Sequence, residues 1–159
     1  MSSKKKTSNK NFTIYDVEKK DYPQLIEVWE ASVRATHDFL TNEEIKRLKS
    51  LILEKNYFDA VELKCCKNTK SEIIGFCGVA DKKIEMLFVT PSSQGQGIGT
   101  ALCKYAMEQQ NATKVDVNEQ NPRAVTFYKK MGFRIVGRSA VDEQGRPYPI
   151  LHMETTNIK

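Results

Sequence analysis

The feature that most constrains how this chain can fold is a glycine-rich segment, Gln-Gly-Gln-Gly-Ile-Gly-Thr, at residues 94–100. It separates the mostly apolar run KIEMLFV, which predicts a buried strand, from residues 98–106, where apolar side chains recur at helical spacing. Its three glycines carry no Cβ, so several backbone N–H groups can converge on one anion. The N-terminus of the following helix adds unsatisfied N–H groups and the positive end of the helix dipole. The segment therefore predicts a cradle for a phosphate or pyrophosphate.

Two common phosphate-binding loops do not match this segment. No Lys-Ser or Lys-Thr pair follows the glycines, as a loop for nucleoside triphosphates requires, and the spacing is not Gly-x-Gly-x-x-Gly. A kinase would also need magnesium ligands near the loop, and the nearby acidic residues Asp81, Glu108 and Asp116 are not paired with such a motif. A tight turn that packs a helix against a sheet is the structural alternative.

The remaining elements alternate in a pattern typical of a mixed α/β sheet. Residues 11–17 predict a first strand, after which Asp21 is expected to cap a helix that extends to about His37. Thr41 and Glu44 form a capping box for a second helix, which should end near Lys55. The pattern then predicts a hairpin (57–67 and 72–80), a strand (83–89), the helix after the glycines, a strand (113–117), a helix capped by Asn121 and closed by Gly132, and a last hairpin (133–141 and 148–155). The order β-α-α-β-β-β-α-β-α-β-β indicates a mixed, mostly antiparallel central sheet flanked by helices.

Composition and charge narrow the class of protein. The chain has 159 residues, of which 40% are hydrophobic and 28% charged, as expected for one globular domain. We place this domain at residues 11–159, after a lysine-rich tail at residues 1–10 that we expect to be disordered. The net charge is +5, but no basic stripe interleaved with aromatic residues indicates nucleic acid binding. No apolar run approaches the roughly 20 residues that span a bilayer, and no secretory signal is evident, so we expect a cytoplasmic protein without a membrane partner.

The four cysteines do not form a metal or redox motif. Cys65, Cys66, Cys77 and Cys103 include no Cys-x-x-Cys pair and no histidine at metal-ligand spacing. We therefore expect reduced thiols and no bound metal. Cys103 has no neighbouring histidine in the sequence to activate it, so no covalent acyl-enzyme is expected.

Two motifs in the chain resemble signatures of one known family. Gln94, Gly97 and Gly99 form the pattern Gln-x-x-Gly-x-Gly between the strand IEMLFVTP and the helix TALCKYAMEQ, and this segment resembles the acetyl-CoA-binding motif of the GNAT superfamily of N-acetyltransferases. The stretch VNEQNPRAVTFYKKMGF is similar to that family's second signature, an Asn followed by an Ala-x-x-x-Tyr helix and a Gly-Phe strand entry. The run VRATHDFL is similar to a group of small bacterial members. The resemblance extends over almost the whole chain after the tail.

The resemblance implies where acetyl-CoA binds. Backbone groups of the glycine loop would hold the pyrophosphate, and the end of the preceding strand would pair with the pantetheine arm like an added strand. The N–H of Leu87 would then face the thioester carbonyl, which requires a bulge in that strand. Asn121 would cap its helix and also hydrogen-bond the pantetheine arm. The implied cofactor-binding residues are Leu87, Phe88, Val89, Gln94, Gly95, Gln96, Gly97, Ile98, Gly99, Thr100 and Asn121.

Two side chains are candidates for proton transfer. Tyr128 matches the position at which many family members use a tyrosine as general acid toward the departing thiolate, although its helical spacing also suits a core residue. Glu85 interrupts an apolar strand and, by strict alternation, falls on the face of Leu87. A carboxylate there could accept the amine proton, with its pKa raised by apolar surroundings. A solvated Glu85, with solvent deprotonating the amine, is the open alternative.

The acceptor site is less constrained by the sequence. His37, Trp29 and Phe39 lie where members of the fold often build the acceptor pocket, between the first two helices, but each could also be a capping or core residue. Tyr148, Pro149 and His152 of the last hairpin could form a further wall.

The implied activity is transfer of an acetyl group from acetyl-CoA to a primary amine, by direct attack in a ternary complex and without a metal. The acceptor could be a small amine or an amine of a protein or peptide, and the protein could form a homodimer. A non-catalytic acetyl-CoA-binding module that regulates a partner is the alternative function, which turnover with any amine would exclude.

Overall fold

A computed structural model describes the backbone of residues 4–6 and residues 12–155. Within them the chain forms one mixed sheet of eight strands and four α-helices, and the strand order is β1-β2-β3-β4-β5-β6-β8-β7. Only β5 and β6 are parallel neighbours, so the predicted mixed, mostly antiparallel sheet is confirmed. The elements are β1 (Lys4–Lys6), β2 (Thr13–Asp16), α1 (Tyr22–Thr36), α2 (Asn42–Glu54), β3 (Glu62–Lys67), β4 (Ile73–Ala80), β5 (Lys83–Val89), α3 (Ile98–Gln109), β6 (Lys114–Asn118), α4 (Pro122–Lys130), β7 (Arg134–Ser139) and β8 (Ile150–Glu154).

The strands β5 and β6 are paired only where they begin. Lys83 pairs with Lys114 and Ile84 with Val115, and no further pair joins the two strands. Farther along, β5 stays paired with β4, whereas β6 stays paired with β8. The two strands therefore diverge, and the second half of β5 has no strand on the side of β6.

A β-bulge at Glu85 changes the faces of β5. The register with β4 shifts between Gly78 and Val79, so that Glu85 has no residue opposite it. An extra residue of this kind bends a strand and breaks the alternation of its side chains. Beyond the bulge, Leu87 packs against the core around α3, whereas Phe88 packs against the core around α1.

Helices cover both faces of the sheet, and each face has its own hydrophobic core. The helices α3 and α4 pack on one face, whose core includes Ile98, Leu102 and Tyr128. The helices α1 and α2 pack on the other face, whose core includes Leu25 and Ile45. Each large apolar side chain buried in this way stabilises the fold by about 1.5–3 kcal/mol. The two cores therefore fix the helices on either side of the diverging strands.

The segment before β3 differs from the sequence prediction. Residues 57–60, predicted as the start of a strand, form the 3-10 turn Tyr57–Ala60, which follows Asn56 in a left-handed conformation. Phe58 is 3% exposed and packs edge-on against Phe76 with ring centroids 5.9 Å apart. Phe58 is apolar because it packs into the core around α1, which explains a strand-like pattern in a segment that pairs with no strand.

Two predictions near the N-terminus also differ. The Asp21 carboxylate does not cap α1 but accepts a hydrogen bond from the Glu18 N–H at 2.9 Å, because the 3-10 turn Lys19–Asp21 has already brought its backbone into a helical conformation. The lysine-rich segment, where we expected disorder, contributes Lys4–Lys6 as an edge strand paired with β2. The rest of residues 1–10 lies outside the described residues, and the division into a tail and a domain at residues 11–159 stays a prediction. In the described part of the chain, no helix combines the length and apolar character needed to span a bilayer.

Candidate active site

The diverging strands open onto a cleft of about 470 Å³, which we call the main cleft. It lies between the second half of β5, the glycine loop and the first turns of α3 and α4, with the end of α1 on one side. All the predicted cofactor-binding residues except Gln96, which is exposed, line it: Leu87, Phe88, Val89, Gln94, Gly95, Gly97, Ile98, Gly99, Thr100 and Asn121. Tyr128 and His37 line the same cleft. Residues far apart in the sequence thus meet as the two motifs predict.

The glycine loop presents backbone N–H groups to the main cleft. Gly95 and Gly97 have φ angles of +82° and +90°, a left-handed conformation that glycine adopts without strain. Gly97 is the N-cap of α3, and the helical hydrogen bond that it accepts comes from the Ala101 N–H at 2.9 Å. The N–H groups of residues 98–100 precede this bond, so they have no acceptor within the helix and lie at the positive end of its dipole. A Cβ added at Gly95 would meet nothing within 4 Å, so the loop is open to a ligand, and its chemistry suits a pyrophosphate.

Two contacts hold the glycine loop in place. The side-chain amide of Gln94 donates a hydrogen bond to the Val89 carbonyl oxygen at 3.3 Å, which ties the loop to the end of β5. Gly75 lets α3 approach the sheet closely, since a Cβ at this position would lie 3.0 Å from Ile98 Cγ2. The cradle is therefore preorganised by the fold itself.

The second half of β5 offers an unpaired backbone edge to the main cleft. Because β6 has diverged, the backbone groups on that side of residues 85–89 have no strand opposite them. An extended arm that carries amides, such as pantetheine, can pair with such an edge like an added strand. The predicted role of the Leu87 N–H depends on a bulge in this strand, and Glu85 supplies one.

Tyr128 has a buried ring and an unpaired hydroxyl. The ring is 7% exposed and packs edge-on against Phe127 and Phe133, with centroids 5.0 and 5.6 Å away. No hydrogen bond joins its hydroxyl to another described residue. Burial raises the pKa of Tyr128 well above its ordinary value, and Cys103 and Cys77 add to this. The phenol is therefore protonated at neutral pH and can donate a proton into the cleft.

The first turn of α4 contributes two polar groups. The Asn121 side-chain oxygen accepts a hydrogen bond from the Ala124 N–H at 3.2 Å, so the predicted cap is confirmed. Its side-chain NH₂ makes no hydrogen bond to another described residue, and Asn121 lines the main cleft. Arg123 lines the same cleft and adds a positive charge beside the helix N-terminus, which suits a polyphosphorylated ligand.

His37 ends α1 at the edge of the main cleft as a neutral side chain. The Thr36 hydroxyl donates its one proton to the Ser32 carbonyl oxygen at 2.8 Å. The same hydroxyl oxygen lies 2.8 Å from His37 Nδ1 and can only accept there, so Nδ1 carries the proton of the imidazole. Burial lowers the pKa of His37, and Asp38 opposes this only in part. His37 Nε2 then remains as a hydrogen-bond acceptor.

Trp29 and Glu85 lie outside the main cleft. Trp29 is 6% exposed in the core beneath α1 and lines none of the cavities described here. Glu85 is exposed and lines a separate cavity of about 500 Å³ together with Asp116 and His152. The expectation that Glu85 shares the face of Leu87 is wrong, because the bulge breaks the alternation. Partial burial raises the pKa of Glu85 and Lys83 opposes the rise, but its role as general base stays a prediction.

A further cavity, of about 430 Å³, lies beside the last hairpin, and we call it the hairpin pocket. Side chains of β6, β7 and β8 form its floor, and its walls come from the segment after α1, from α2 and from the loop between β7 and β8. Phe39, Tyr148 and His152, all expected near the acceptor, line it, whereas Pro149 does not. The ring of Phe39 contacts that of Tyr148 at 5.9 Å and that of His37 in the main cleft at 5.3 Å. A side chain that lines the main cleft, His37, is therefore in contact with one that lines the hairpin pocket, Phe39.

Acidic side chains outnumber basic ones in the hairpin pocket. Asp116, Asp142 and Glu143 line it, and Arg47 is the basic residue among the lining residues described. The Asp142 carboxylate also holds the hairpin loop, since it accepts the N–H groups of Gln144 and Arg146 at 2.9 Å each. An ammonium group is attracted to such a surface.

Comparison with known proteins identifies the family of this chain. A family model described as an acetyltransferase (GNAT) domain matches residues 33–155. The chain is 40% identical over 130 residues to the peptidyl-lysine N-acetyltransferase YjaB of Salmonella typhimurium. The alignment covers 82% of this chain and 88% of that protein. The chain belongs to the GNAT superfamily. As a member it is an N-acetyltransferase that takes its acetyl group from acetyl-CoA.

Further comparisons agree with this GNAT assignment. The YjaB protein of Escherichia coli strain K12 is 37% identical over 130 residues, covering 82% of this chain and 87% of that protein. The solution structure of the apo form of YjaB from Escherichia coli superposes with a TM-score of 0.81 at 33% identity and covers 93% of this chain and 99% of that one. The PaiA N-acetyltransferase of Thermoplasma acidophilum, solved in complex with coenzyme A, shares the fold with a TM-score of 0.63 at 20% identity. The match covers 91% of this chain and 99% of that one.

Several residues of this GNAT site escaped the sequence analysis. Arg123 follows Asn121 within the second signature, and a cation at a helix start next to a phosphate loop is a signal that could have found it. Ser32 and Thr36 interrupt the apolar spacing of α1 near its end, which is a weaker signal. Nothing in the sequence singles out Ser139, whose contact with His152 depends on strand pairing.

None of the cysteines lines a described cavity. All four cysteines are free and buried, and burial raises the pKa of Cys103 to about 12, so its thiol stays protonated. Among the described residues no group of three or more His, Cys, Asp or Glu side chains could hold a metal ion.

Proposed function

We propose that this GNAT protein acetylates the side-chain amine of lysine in a protein or peptide, by direct attack on acetyl-CoA in a ternary complex. The observation that carries the proposal is that a cleft with free backbone N–H groups lies next to an acidic pocket, since His37 of the main cleft and Phe39 of the hairpin pocket are in ring contact. Two relatives at 40% and 37% identity over 82% of the chain are named peptidyl-lysine N-acetyltransferases, which supports lysine as the acceptor.

The roles of the residues follow from their positions. Bound acetyl-CoA supplies an activated acetyl thioester. The N–H groups of residues 98–100 would hold the pyrophosphate, and Asn121 and the edge of β5 would hold the pantetheine arm. The Leu87 N–H would polarise the thioester carbonyl as charge develops on its oxygen. Tyr128 would donate its proton to the departing thiolate.

The proposal is tested by binding and turnover on the full chain. Isothermal titration with acetyl-CoA, with ATP as control, measures the first step. Acetylation of the blocked peptide acetyl-Gly-Lys-Gly-amide, followed by mass spectrometry, measures the second, and the same peptide with norleucine in place of lysine is the matched control. We expect saturable binding of acetyl-CoA but not ATP, and one acetyl group on the lysine peptide only.

Other outcomes would change the proposal in defined ways. Acetylation of spermidine but of no lysine peptide would replace the peptide acceptor by a small amine. Binding of acetyl-CoA without turnover on any amine would favour the non-catalytic regulatory module.

The location and the partners expected from the sequence are also part of this proposal. We propose a cytoplasmic location, with which four unpaired cysteines are in keeping. We also propose that the protein binds neither nucleic acid nor membrane and can form a homodimer. Sedimentation of the full chain with and without acetyl-CoA tests the dimer.

A further inference from the structure

Four polar side chains form a hydrogen-bonded row across the sheet, in which Asp116, His152 and Ser139 line the hairpin pocket and Lys83 lines the Glu85 cavity. The function proposed above assigns no proton transfer to any of them. Lys83 Nζ lies 2.6 Å from Asp116 Oδ2. His152 Nδ1 lies 2.8 Å from Asp116 Oδ1, and Ser139 Oγ lies 2.7 Å from His152 Nε2. The four residues come from β5, β6, β8 and β7, which is the spatial order of these strands. A serine, a histidine and an aspartate are therefore hydrogen-bonded in sequence at a cavity beside the main cleft.

The hydrogen bonds fix the direction in which a proton can move. Burial acts to raise the pKa of Asp116, but hydrogen bonds from Lys83 and His152 outweigh it and leave the pKa lowered, so the carboxylate is ionised. An ionised carboxylate only accepts hydrogen bonds, and His152 Nδ1 must therefore carry its proton. In a neutral ring Nε2 is then left to accept the hydroxyl proton of Ser139.

We propose that Ser139, His152 and Asp116 form a proton relay that deprotonates the acceptor amine. The inference rests on the proposed acetyl transfer and adds the group that removes the proton. The ammonium gives one proton to Ser139 Oγ while the Ser139 hydroxyl gives its own to His152 Nε2. The freed lone pair on nitrogen attacks the acetyl carbon, the C–S bond breaks, and the thiolate takes the Tyr128 proton. The second proton leaves the nitrogen as the amide forms and restores the Tyr128 hydroxyl, and the His152 imidazolium releases its proton to solvent. Ser139 touches the amine, whereas His152 and Asp116 act through it.

Charged residues from several elements surround His152. Charged groups face it from every element around it: Arg47 from α2, Lys83 and Glu85 from β5, Asp116 from β6, and Asp142 and Glu143 from the loop between β7 and β8. Asp81, Lys114 and Glu154 also line the Glu85 cavity. Negative groups are in excess among these residues. His152 and Asp116 line this cavity as well as the hairpin pocket, so the proton has a way out to solvent.

Kinetics on variants of Ser139 test the relay. With saturating acetyl-CoA and the blocked lysine peptide, we expect Ser139→Ala to lower kcat about 100-fold, in the range for a lost general base. Ser139→Thr keeps the hydroxyl and should keep most of the rate. Acetyl-CoA affinity should be the same in both variants. A wild-type rate in Ser139→Ala, with the wild-type protein active, would overturn the relay and leave the acetyltransferase function intact.

The pH profile separates a relay from a structural hydrogen bond. Asp116→Asn removes the negative charge next to His152 Nδ1, and its loss disfavours a proton on the ring, so the alkaline rise in kcat/KM should move to lower pH. A row of side chains that only joins strands would leave the profile in place and lower the thermal midpoint instead. An unmoved profile would therefore contradict the relay.

The tautomer of His152 provides a test that does not depend on any acceptor. The chain has two histidines, and His37→Gln assigns their signals in a long-range proton–nitrogen NMR spectrum. We expect the neutral ring of His152 to carry its proton on Nδ1. A proton on Nε2 would contradict the relay even if the enzyme is active. A protein that acetylates no amine would instead overturn the proposed function.

Discussion

Tyr128 uses two parts of one side chain for different purposes. Its ring belongs to the core on the α3 side of the sheet, as helical spacing with neighbouring apolar residues suggests. Its hydroxyl is at the main cleft and is hydrogen-bonded to no other described residue. The core and catalytic interpretations of this residue are therefore compatible, since they concern different atoms.

The first prediction separates these two parts. Tyr128→Phe should lower kcat by about 100-fold, because it removes a general acid. Acetyl-CoA affinity and the free energy of unfolding should change little, since the ring stays and no hydrogen bond is lost. Turnover under saturating acetyl-CoA, isothermal titration and urea denaturation measure the three quantities. A wild-type rate would leave Tyr128 with its packing role alone.

The second prediction concerns stability and pH. Burial lowers the pKa of His37 in the folded chain, whereas in the unfolded chain this pKa has its ordinary value of about 6.5. Below that pH, His37 is therefore protonated more readily in the unfolded chain than in the folded one. The free energy of unfolding should therefore fall as pH drops below that value. His37→Gln should show a shallower fall, and urea denaturation at a series of pH values compares the two. His152 and the carboxylates are common to both proteins, so equal slopes would contradict the burial of His37.

At the scale of elements, local sequence predicts most of the fold but not the features that create the site. The capping box at Thr41 and the cap at Asn121 are found where their side chains predict them, because both act within four residues. The bulge at Glu85 and the divergence of β5 from β6 arise from pairing with strands that are distant in sequence, which periodicity cannot report. The alternation rule consequently misplaced Glu85, and the contact of Ser139 with His152 was not foreseen.

The third prediction concerns the packing of α3 on the sheet. In Gly75→Ala the new Cβ would lie 3.0 Å from Ile98 Cγ2 and 3.3 Å from the Phe88 carbonyl oxygen, so these neighbours would have to give way by a few tenths of an ångström. Overpacking of this kind should destabilise the fold by about 1–3 kcal/mol. Acetyl-CoA affinity should also fall, because α3 carries the cradle.

A matched glycine in another strand controls for the substitution itself. In Gly137→Ala the Cβ would lie 3.6 Å from His152 Cδ2, an ordinary contact. This variant should be as stable as the wild-type protein or more stable by about 0.4–1 kcal/mol, because alanine reduces the conformational entropy of the unfolded chain. Urea denaturation of both variants checks the difference, and equal stabilities would contradict the close approach at Gly75.

At the scale of the whole molecule, the site is the gap between two cores. One core holds α3 and α4 with the cradle and Tyr128, and the other holds α1 and α2 with His37 and the wall of the hairpin pocket. A ligand in the main cleft touches elements that belong to both. It should therefore stabilise the molecule against global unfolding.

The fourth prediction measures this linkage. Acetyl-CoA at 100 times its Kd adds about 2.7 kcal/mol to the free energy of unfolding, which for a chain of this size raises Tm by about 5–11 °C. Gly97→Trp should abolish the shift because it fills the cradle. Gly145→Trp is the control. Gly145 has a φ of +77°, so a tryptophan there is strained in a similar way, but the substitution lies in the hairpin loop and not in the cradle. Both variants should lower Tm without ligand, and only Gly145→Trp should regain it with acetyl-CoA. A ligand shift that survives in Gly97→Trp would place the cofactor elsewhere on the molecule.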